Sequence, residues 1–102
     1  MYLHIVMMAF NKEISPSLRT QFEKWFQNTA RDCDGVERFD FVDNQSRTSA
    51  SYSHALVSVF SSKQALDAYR ASAAHSKMMA ELGYYIKEIA VLDTDLEQHC
   101  RL

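Results

Sequence analysis

The chain has 102 residues, of which 47% are hydrophobic and 24% are charged, which is typical of one soluble globular domain. Its net charge of −2 provides no basic surface for nucleic acid or for an anionic membrane, so neither partner is predicted. The apolar start, Met1–Phe10, lacks the features of an export signal and is too short to span a bilayer, so we expect a cytoplasmic protein.

The first half of the chain predicts a strand, a helix and a second strand. Tyr2–Phe10 is apolar except for one histidine, which favours a strand buried on both faces. Ser15 and Pro16 suit the cap and first position of a helix, and the Asp34-Gly35 pair suits its end. Val36–Val42 alternates between apolar and charged residues, as a half-buried edge strand does.

The second half predicts a loop, a strand, a helical region and a last strand. The loop is polar and rich in serine, and the helical region is expected to bend at its run of small residues before a second short helix. The predicted bounds are Asp43–Ser51 for the loop, Ser53–Phe60 for the strand, a helix from Ser61-Ser62, a second helix at His75–Leu82, and Ile86–Asp93 for the last strand.

The element order βαββαβ predicts a ferredoxin-like α+β fold, in which helices cover one face of a four-stranded sheet. Residues 1–95 are interpreted as this domain, and residues 96–102 as a polar tail. We expect the first and third strands to be central and parallel to each other. His4 and His54, one on each of these strands, would then be close neighbours.

The two central strands are apolar on both faces, although the helices can cover only one. Leu3, Ile5 and Met7 alternate with the residues that face the helices, and the third strand shows the same pattern. Each large apolar side chain left in water forgoes about 1.5–3 kcal/mol of burial energy. A homodimer that packs the two sheets face to face is therefore predicted.

Several short motifs resemble the stress-responsive dimeric A/B barrel (Dabb) family. They are His4-Ile5-Val6 on the first strand, Tyr52–Val57 on the third, Asp34-Gly35-Val36 at a turn, and Ser72–Met78, where Ala73 replaces a usual proline. Together, the motifs and their order match the family over roughly residues 2–95. The resemblance implies a ferredoxin-like monomer with a four-stranded antiparallel sheet, which pairs into a dimeric α+β barrel.

One enzyme branch of that family, a plant polyketide cyclase that forms olivetolic acid, performs an aldol cyclisation. Its catalytic tyrosine and histidine are similar in spacing to Tyr69 and His75, and its two strand histidines to His4 and His54. A tyrosine of its pocket appears as Phe26 here, so the resemblance does not carry over the same substrate.

Proton transfer at this site would need a base and a hydrogen-bond donor. His75 is the candidate base, and Tyr69 would orient it or donate to a developing oxyanion, with His4 and His54 adding polarity. The predicted apolar walls for a small organic ligand are Val6, Phe22, Phe26, Leu56 and Met79. Three histidines could in principle hold zinc, but without a short ligand pair no metal is predicted, and no cofactor.

The sequence is compatible with four functions. The first is a homodimeric A/B barrel protein with a small-molecule pocket and no derivable physiological role. The second is a cyclase-like or lyase-like enzyme that uses Tyr69 and His75. The third is a protein whose histidines are hydrogen-bonded and purely structural. The fourth, by architectural analogy alone, is a cofactor-free monooxygenase.

Overall fold

A computed structural model describes residues 1–48 and 50–97, and it confirms the predicted ferredoxin-like α+β fold. Its elements are β1 (Tyr2–Phe10), α1 (Pro16–Arg31), β2 (Val36–Asp43), β3 (His54–Phe60), α2 (Lys63–Ala71), α3 (Ala73–Gly83) and β4 (Ile86–Asp95). Most of the predicted polar tail, residues 98–102, lies outside the described residues. No described helix is long and apolar enough to cross a membrane.

The sheet has the strand order β2-β3-β1-β4, with β1 and β3 at its centre as predicted. All three pairings, including β1 with β3, are antiparallel. The prediction that the central strands run parallel is therefore wrong. The physical reason is connectivity: α1 returns the chain so that β2 runs parallel to β1, and the β2–β3 connection then reverses the direction of β3.

Serine side chains begin all three helices. The hydroxyls of Ser15, Ser62 and Ser72 accept hydrogen bonds from the backbone N–H three residues further on, at 3.2, 3.1 and 3.1 Å. Each bond satisfies one of the N–H groups that a helix start leaves unpaired. Ser72 also separates α2 from α3, because its backbone is extended there, and this is the predicted bend.

The core lies between the helix layer and one face of the sheet. Its fully buried members come from every element except the edge strands: Met8, Phe22, Phe26, Leu56, Phe60, Leu66, Tyr69, Met78 and Leu82. Seven of the nine are aromatic or leucine, whose burial supplies most of the energy that holds the helices on the sheet.

Gly35 occupies the tight connection between α1 and β2 with a φ of +78°, where a side chain is strained. A Cβ atom placed there would lie 2.6 Å from the Ala65 Cβ and 2.8 Å from the Ser61 hydroxyl. The Gly35 carbonyl also accepts a hydrogen bond of 2.8 Å from the Ser61 N–H. This glycine therefore lets the turn pack directly against the start of α2.

The face of the sheet that the helices do not cover is apolar at its centre. It carries Leu3, Ile5 and Met7 of β1, Ala55, Val57 and Val59 of β3, and Ala90 and Leu92 of β4, as the strand register shows. Leu92 keeps 52% of its surface exposed, and Val42 of β2, which pairs with Ala55, keeps 37%. We call this surface the open face.

Candidate functional site

The break at Ser72 brings Tyr69 and His75 together. The Ser72 hydroxyl donates to the Tyr69 carbonyl at 2.7 Å and accepts from the His75 N–H at 3.1 Å, so one side chain fixes the end of α2 and the start of α3. The rings of Tyr69 and His75 meet edge to face, with their centroids 4.8 Å apart. The six-residue spacing thus reflects a kink between two helices and not a single helical face.

His4 joins this pair from the sheet, where it is only 4% exposed. Its ring lies edge to face with Tyr69 at a centroid distance of 6.0 Å. Its Nδ1 lies 2.5 Å from Oδ1 of Asp93, which is the residue opposite it on β4. The other oxygen of Asp93 accepts from the Arg70 guanidinium, and Nη2 of Arg70 lies 3.4 Å from the His4 Nδ1. The Arg70–Asp93 ion pair, with the His4 ring in contact with it, is called the charged triad.

These groups border a cavity of about 360 Å³ between the sheet and helices α2 and α3. Seven residues singled out from the sequence line it: His4, Val6, Phe26, Leu56, Tyr69, His75 and Met79. The remaining lining residues were not predicted: Met8, Arg70, Met78, Leu82, Gly83, Ile86, Ile89 and Val91. The wall is therefore mostly apolar, with its polar groups gathered where Tyr69, His75 and the charged triad meet.

Burial sets the ionisation of the two groups with candidate chemistry. It raises the pKa of the Tyr69 phenol well above its usual value, so the hydroxyl keeps its proton and can donate a hydrogen bond. Burial also lowers the pKa of the His75 imidazole, and the nearby His4 and Arg70 lower it further. At neutral pH, His75 is thus an uncharged ring that can accept a proton.

Asp93 stays ionised although it is partly enclosed. Burial by itself would raise the pKa of this carboxyl, but hydrogen bonds from His4 and Arg70 outweigh it and bring the pKa below the usual value. The carboxylate holds the His4 ring in one orientation and neutralises the Arg70 guanidinium. Sequence inspection could not single out Asp93, because its position opposite His4 depends on the register of the last strand against the first.

His54 does not join the site, which corrects the predicted meeting of the strand histidines. Antiparallel pairing sets His4 opposite Ser58 and His54 opposite Met8, so the two lie four residues apart along the sheet, roughly 13 Å. The His54 Nδ1 instead lies 2.7 Å from the Ser53 hydroxyl, with which it shares a hydrogen bond, and its Nε2 lies 3.4 Å from the Asp43 carboxylate. Burial lowers its pKa.

Phe22 likewise does not line the cavity, although the sequence placed it on the ligand-binding wall. It is fully buried in the core, stacked on Phe10 at 5.4 Å and in contact with the rings of Trp25, Phe41 and Tyr85. Phe26, one helical turn further along α1, does reach the cavity. Helical periodicity identified the buried face of α1 but could not tell which of its aromatic residues borders empty space.

The fold and the site together define a ferredoxin-like α+β protein with a cavity between its sheet and helices. The chain belongs to the stress responsive A/B barrel domain family (Dabb), whose family model matches residues 3–96. The resemblance found in the sequence motifs is thereby confirmed. No curated protein sequence matches the chain significantly.

Three solved structures illustrate how widely this fold is shared. A protein from Arabidopsis thaliana is 21% identical with a TM-score of 0.85, and the match covers 100% of both chains. A hydroxynitrile lyase from Passiflora edulis is 15% identical with a TM-score of 0.84, over 98% of this chain and 96% of that one. A ferredoxin-like protein of unknown function from Jannaschia, described as dimeric, is 22% identical with a TM-score of 0.80, over 93% and 98%. At these identities the likeness concerns the fold alone.

Proposed function

We propose that this protein is a homodimer that binds a small, largely apolar organic molecule in the cavity beside Tyr69 and His75. The observation that carries the proposal is the convergence of His4, Tyr69 and His75 on one apolar cavity of about 360 Å³. Small-molecule sites commonly have volumes of roughly 300–1,000 Å³, mostly apolar walls and a few polar groups that orient the ligand.

The polar groups are concentrated around the charged triad, and this distribution predicts how a ligand would lie. An apolar body would contact Val6, Met79 and Val91, which lie along β1, α3 and β4. A ligand oxygen would lie near the protonated Tyr69 hydroxyl and the neutral His75 ring, which offer one donor and one acceptor. The cavity thus suits a compound with a polar group at one end.

A binding experiment with substitutions at Val6 tests the cavity. Neutral aromatic alcohols, aldehydes and ketones are screened by ligand-observed NMR, and the hits are then measured with Val6→Phe and Val6→Ala. We expect Val6→Phe to abolish binding, because the added ring occupies the cavity, whereas Val6→Ala enlarges the space and retains binding. The proposal would be contradicted if the hits bound Val6→Phe as tightly as the wild type, or if the screen gave no hits.

The dimer rests on the open face. Burying its large apolar side chains against a second copy would gain about 1.5–3 kcal/mol for each residue. A twofold arrangement is the commonest way in which a chain pairs identical surfaces, and the dimeric description of the Jannaschia protein of the same fold supports it.

Changing Leu92 to glutamate is expected to weaken dimerisation by at least about tenfold, since a charge would be buried opposite Ile5. Tyr84→Glu is the matched control, because Tyr84 is 80% exposed in the turn between α3 and β4, away from the open face. Sedimentation velocity over a concentration series measures both variants. If neither substitution dissociates the dimer, or if both dissociate it equally, the interface does not lie on the open face.

A second candidate function is proton-transfer catalysis, with His75 as the base and Tyr69 as the donor. The neutral state of His75 in contact with a protonated Tyr69 favours it. Cyanohydrin cleavage, suggested by the lyase of the same fold, is one such reaction. His75 would take the hydroxyl proton as the C=O bond forms and the C–CN bond breaks, and would then return that proton to the leaving cyanide, which gives hydrogen cyanide and regenerates the neutral ring. The monooxygenase hypothesis has no comparable observation and remains a prediction.

Mandelonitrile cleavage in the wild type and in His75→Ala tests this candidate. We expect the variant to lose roughly a hundredfold or more in kcat, with ligand affinity largely kept. Because the pKa of His75 is lowered, the wild-type rate should be flat above about pH 6.5 and fall only at lower pH, as the base becomes protonated. The control His54→Ala should retain activity, and equal rates for wild type and His75→Ala would exclude His75 as the base.

A further inference from the structure

We propose that the cavity selects ligands whose polar end is uncharged and rejects otherwise identical carboxylates and amines. This inference rests on the proposed binding function and adds the chemical class of the ligand. It follows from the charged triad, in which each ionic group already has its partner within the protein.

Arg70 is the only residue with a permanent charge among the described residues that line the cavity. An arginine beside an apolar cavity would ordinarily favour an anionic ligand. Here, however, the guanidinium donates to one oxygen of Asp93, while the His4 Nδ1 lies 2.5 Å from the other. The Arg70–Asp93 pair has no net charge, and Nη2 of Arg70 is directed at Asp93.

The groups next to the pair add no compensating charge for a ligand. His75 and Tyr69 are both uncharged at neutral pH, and their rings meet edge to face with centroids 4.8 Å apart. The rest of the wall is apolar. A carboxylate or an ammonium entering this space would lose its hydration without gaining an ionic partner, which is costly in a poorly solvated site. A hydroxyl or carbonyl oxygen loses far less and can bond with Tyr69 or His75.

Three probes with the same apolar body test the selection: 2-naphthalenemethanol, 2-naphthoic acid and 2-(aminomethyl)naphthalene. Their affinities are measured by isothermal titration calorimetry near pH 8, where histidine side chains are ordinarily neutral. We expect the alcohol to bind at least about tenfold more tightly than either charged probe. Equal or tighter binding of the acid or the amine would overturn the inference while leaving the binding function intact.

Substitutions within the pair should change the preference in opposite directions. Asp93→Asn leaves Arg70 without its counter-charge, so the acid should gain at least about tenfold in affinity and the amine should not. Arg70→Gln leaves Asp93 without its cationic partner, so the amine should gain and the acid should not. The two variants provide independent tests, so one that fails to fold does not remove the other.

Asp95→Asn is the matched control, because it removes the same charge two residues along β4 from a side chain that accepts from the Glu97 N–H at 2.9 Å and is not part of the pair. Its ranking of the three probes should equal that of the wild type. A shift toward the acid in Asp95→Asn as large as in Asp93→Asn would show that overall charge, and not the pair, sets the preference. Failure of all three probes to bind the wild type would instead count against the proposed binding function itself.

Discussion

Replacing Phe22 with alanine is expected to lower the free energy of unfolding by about 3–5 kcal/mol, the largest effect of any substitution considered for this chain. Phe22 is fully buried, and its ring contacts those of Phe10, Trp25, Phe41 and Tyr85. The variant loses both the transfer energy of the ring and the contacts around the void it leaves. Urea unfolding followed by tryptophan fluorescence and by far-UV circular dichroism measures the change.

Since small domains are stable by only about 5–15 kcal/mol, a wild type at the low end of that range would leave Phe22→Ala too close to unfolding for a study of function. Phe22→Leu is the milder companion, and we expect it to remain folded and to bind ligands as the wild type does. Phe26→Leu changes a residue that does line the cavity, so it should alter ligand affinity. If Phe22→Leu is folded but loses as much ligand affinity as Phe26→Leu does, then Phe22 belongs to the ligand site after all.

Replacing Gly35 with alanine should destabilise the fold by about 2–4 kcal/mol. Part of the cost is the left-handed backbone at φ +78°, which disfavours any residue with a Cβ atom. The rest is steric, because the new Cβ would lie 2.6 Å from that of Ala65, on the first turn of α2, and one of the two must move. Equilibrium urea unfolding gives the difference in free energy.

A second glycine and a double-mutant cycle separate these two causes. Gly83 ends α3 without a positive φ, and a Cβ there would meet no atom within 4 Å. Gly83→Ala should therefore be neutral or stabilise by up to about 1 kcal/mol. Ala65→Gly removes the nearer of the two colliding atoms, so it should recover part of the steric cost of Gly35→Ala, while the Ser61 hydroxyl stays in place. Additive effects of Gly35→Ala and Ala65→Gly would show that the contact with Ala65 contributes nothing to the cost.

The element order was predictable because this chain marks its boundaries with local chemistry. Ser15 with Pro16 began α1, and the small residues around Ser72 marked the break between α2 and α3. The direction of β3 relative to β1 was not predicted correctly. Strand direction depends on how the chain connects distant elements, and an apolar run such as Tyr2–Phe10 reads the same in either direction.

The candidate site was predictable only as far as its parts lie on neighbouring elements. Tyr69 and His75 are joined by one kink, so their contact could be inferred from a short segment. The partnership of His4 with Asp93 joins residues at opposite ends of the chain and depends on strand register. The error over His54 has the same origin, because reversing one strand carries its histidine to the far end of the sheet.

The contact between His4 and Asp93 helps to set the register in which β4 pairs with β1 at the edge of the sheet. The strand is apolar on both faces, with Val91 on one side and Leu92 on the other, so burial alone discriminates weakly between two registers. A slip of one residue would turn Asp93 to the open face and leave His4 and the Arg70 guanidinium without their shared acceptor. The buried polar contact thus selects one strand alignment among competitors that the hydrophobic pattern would tolerate.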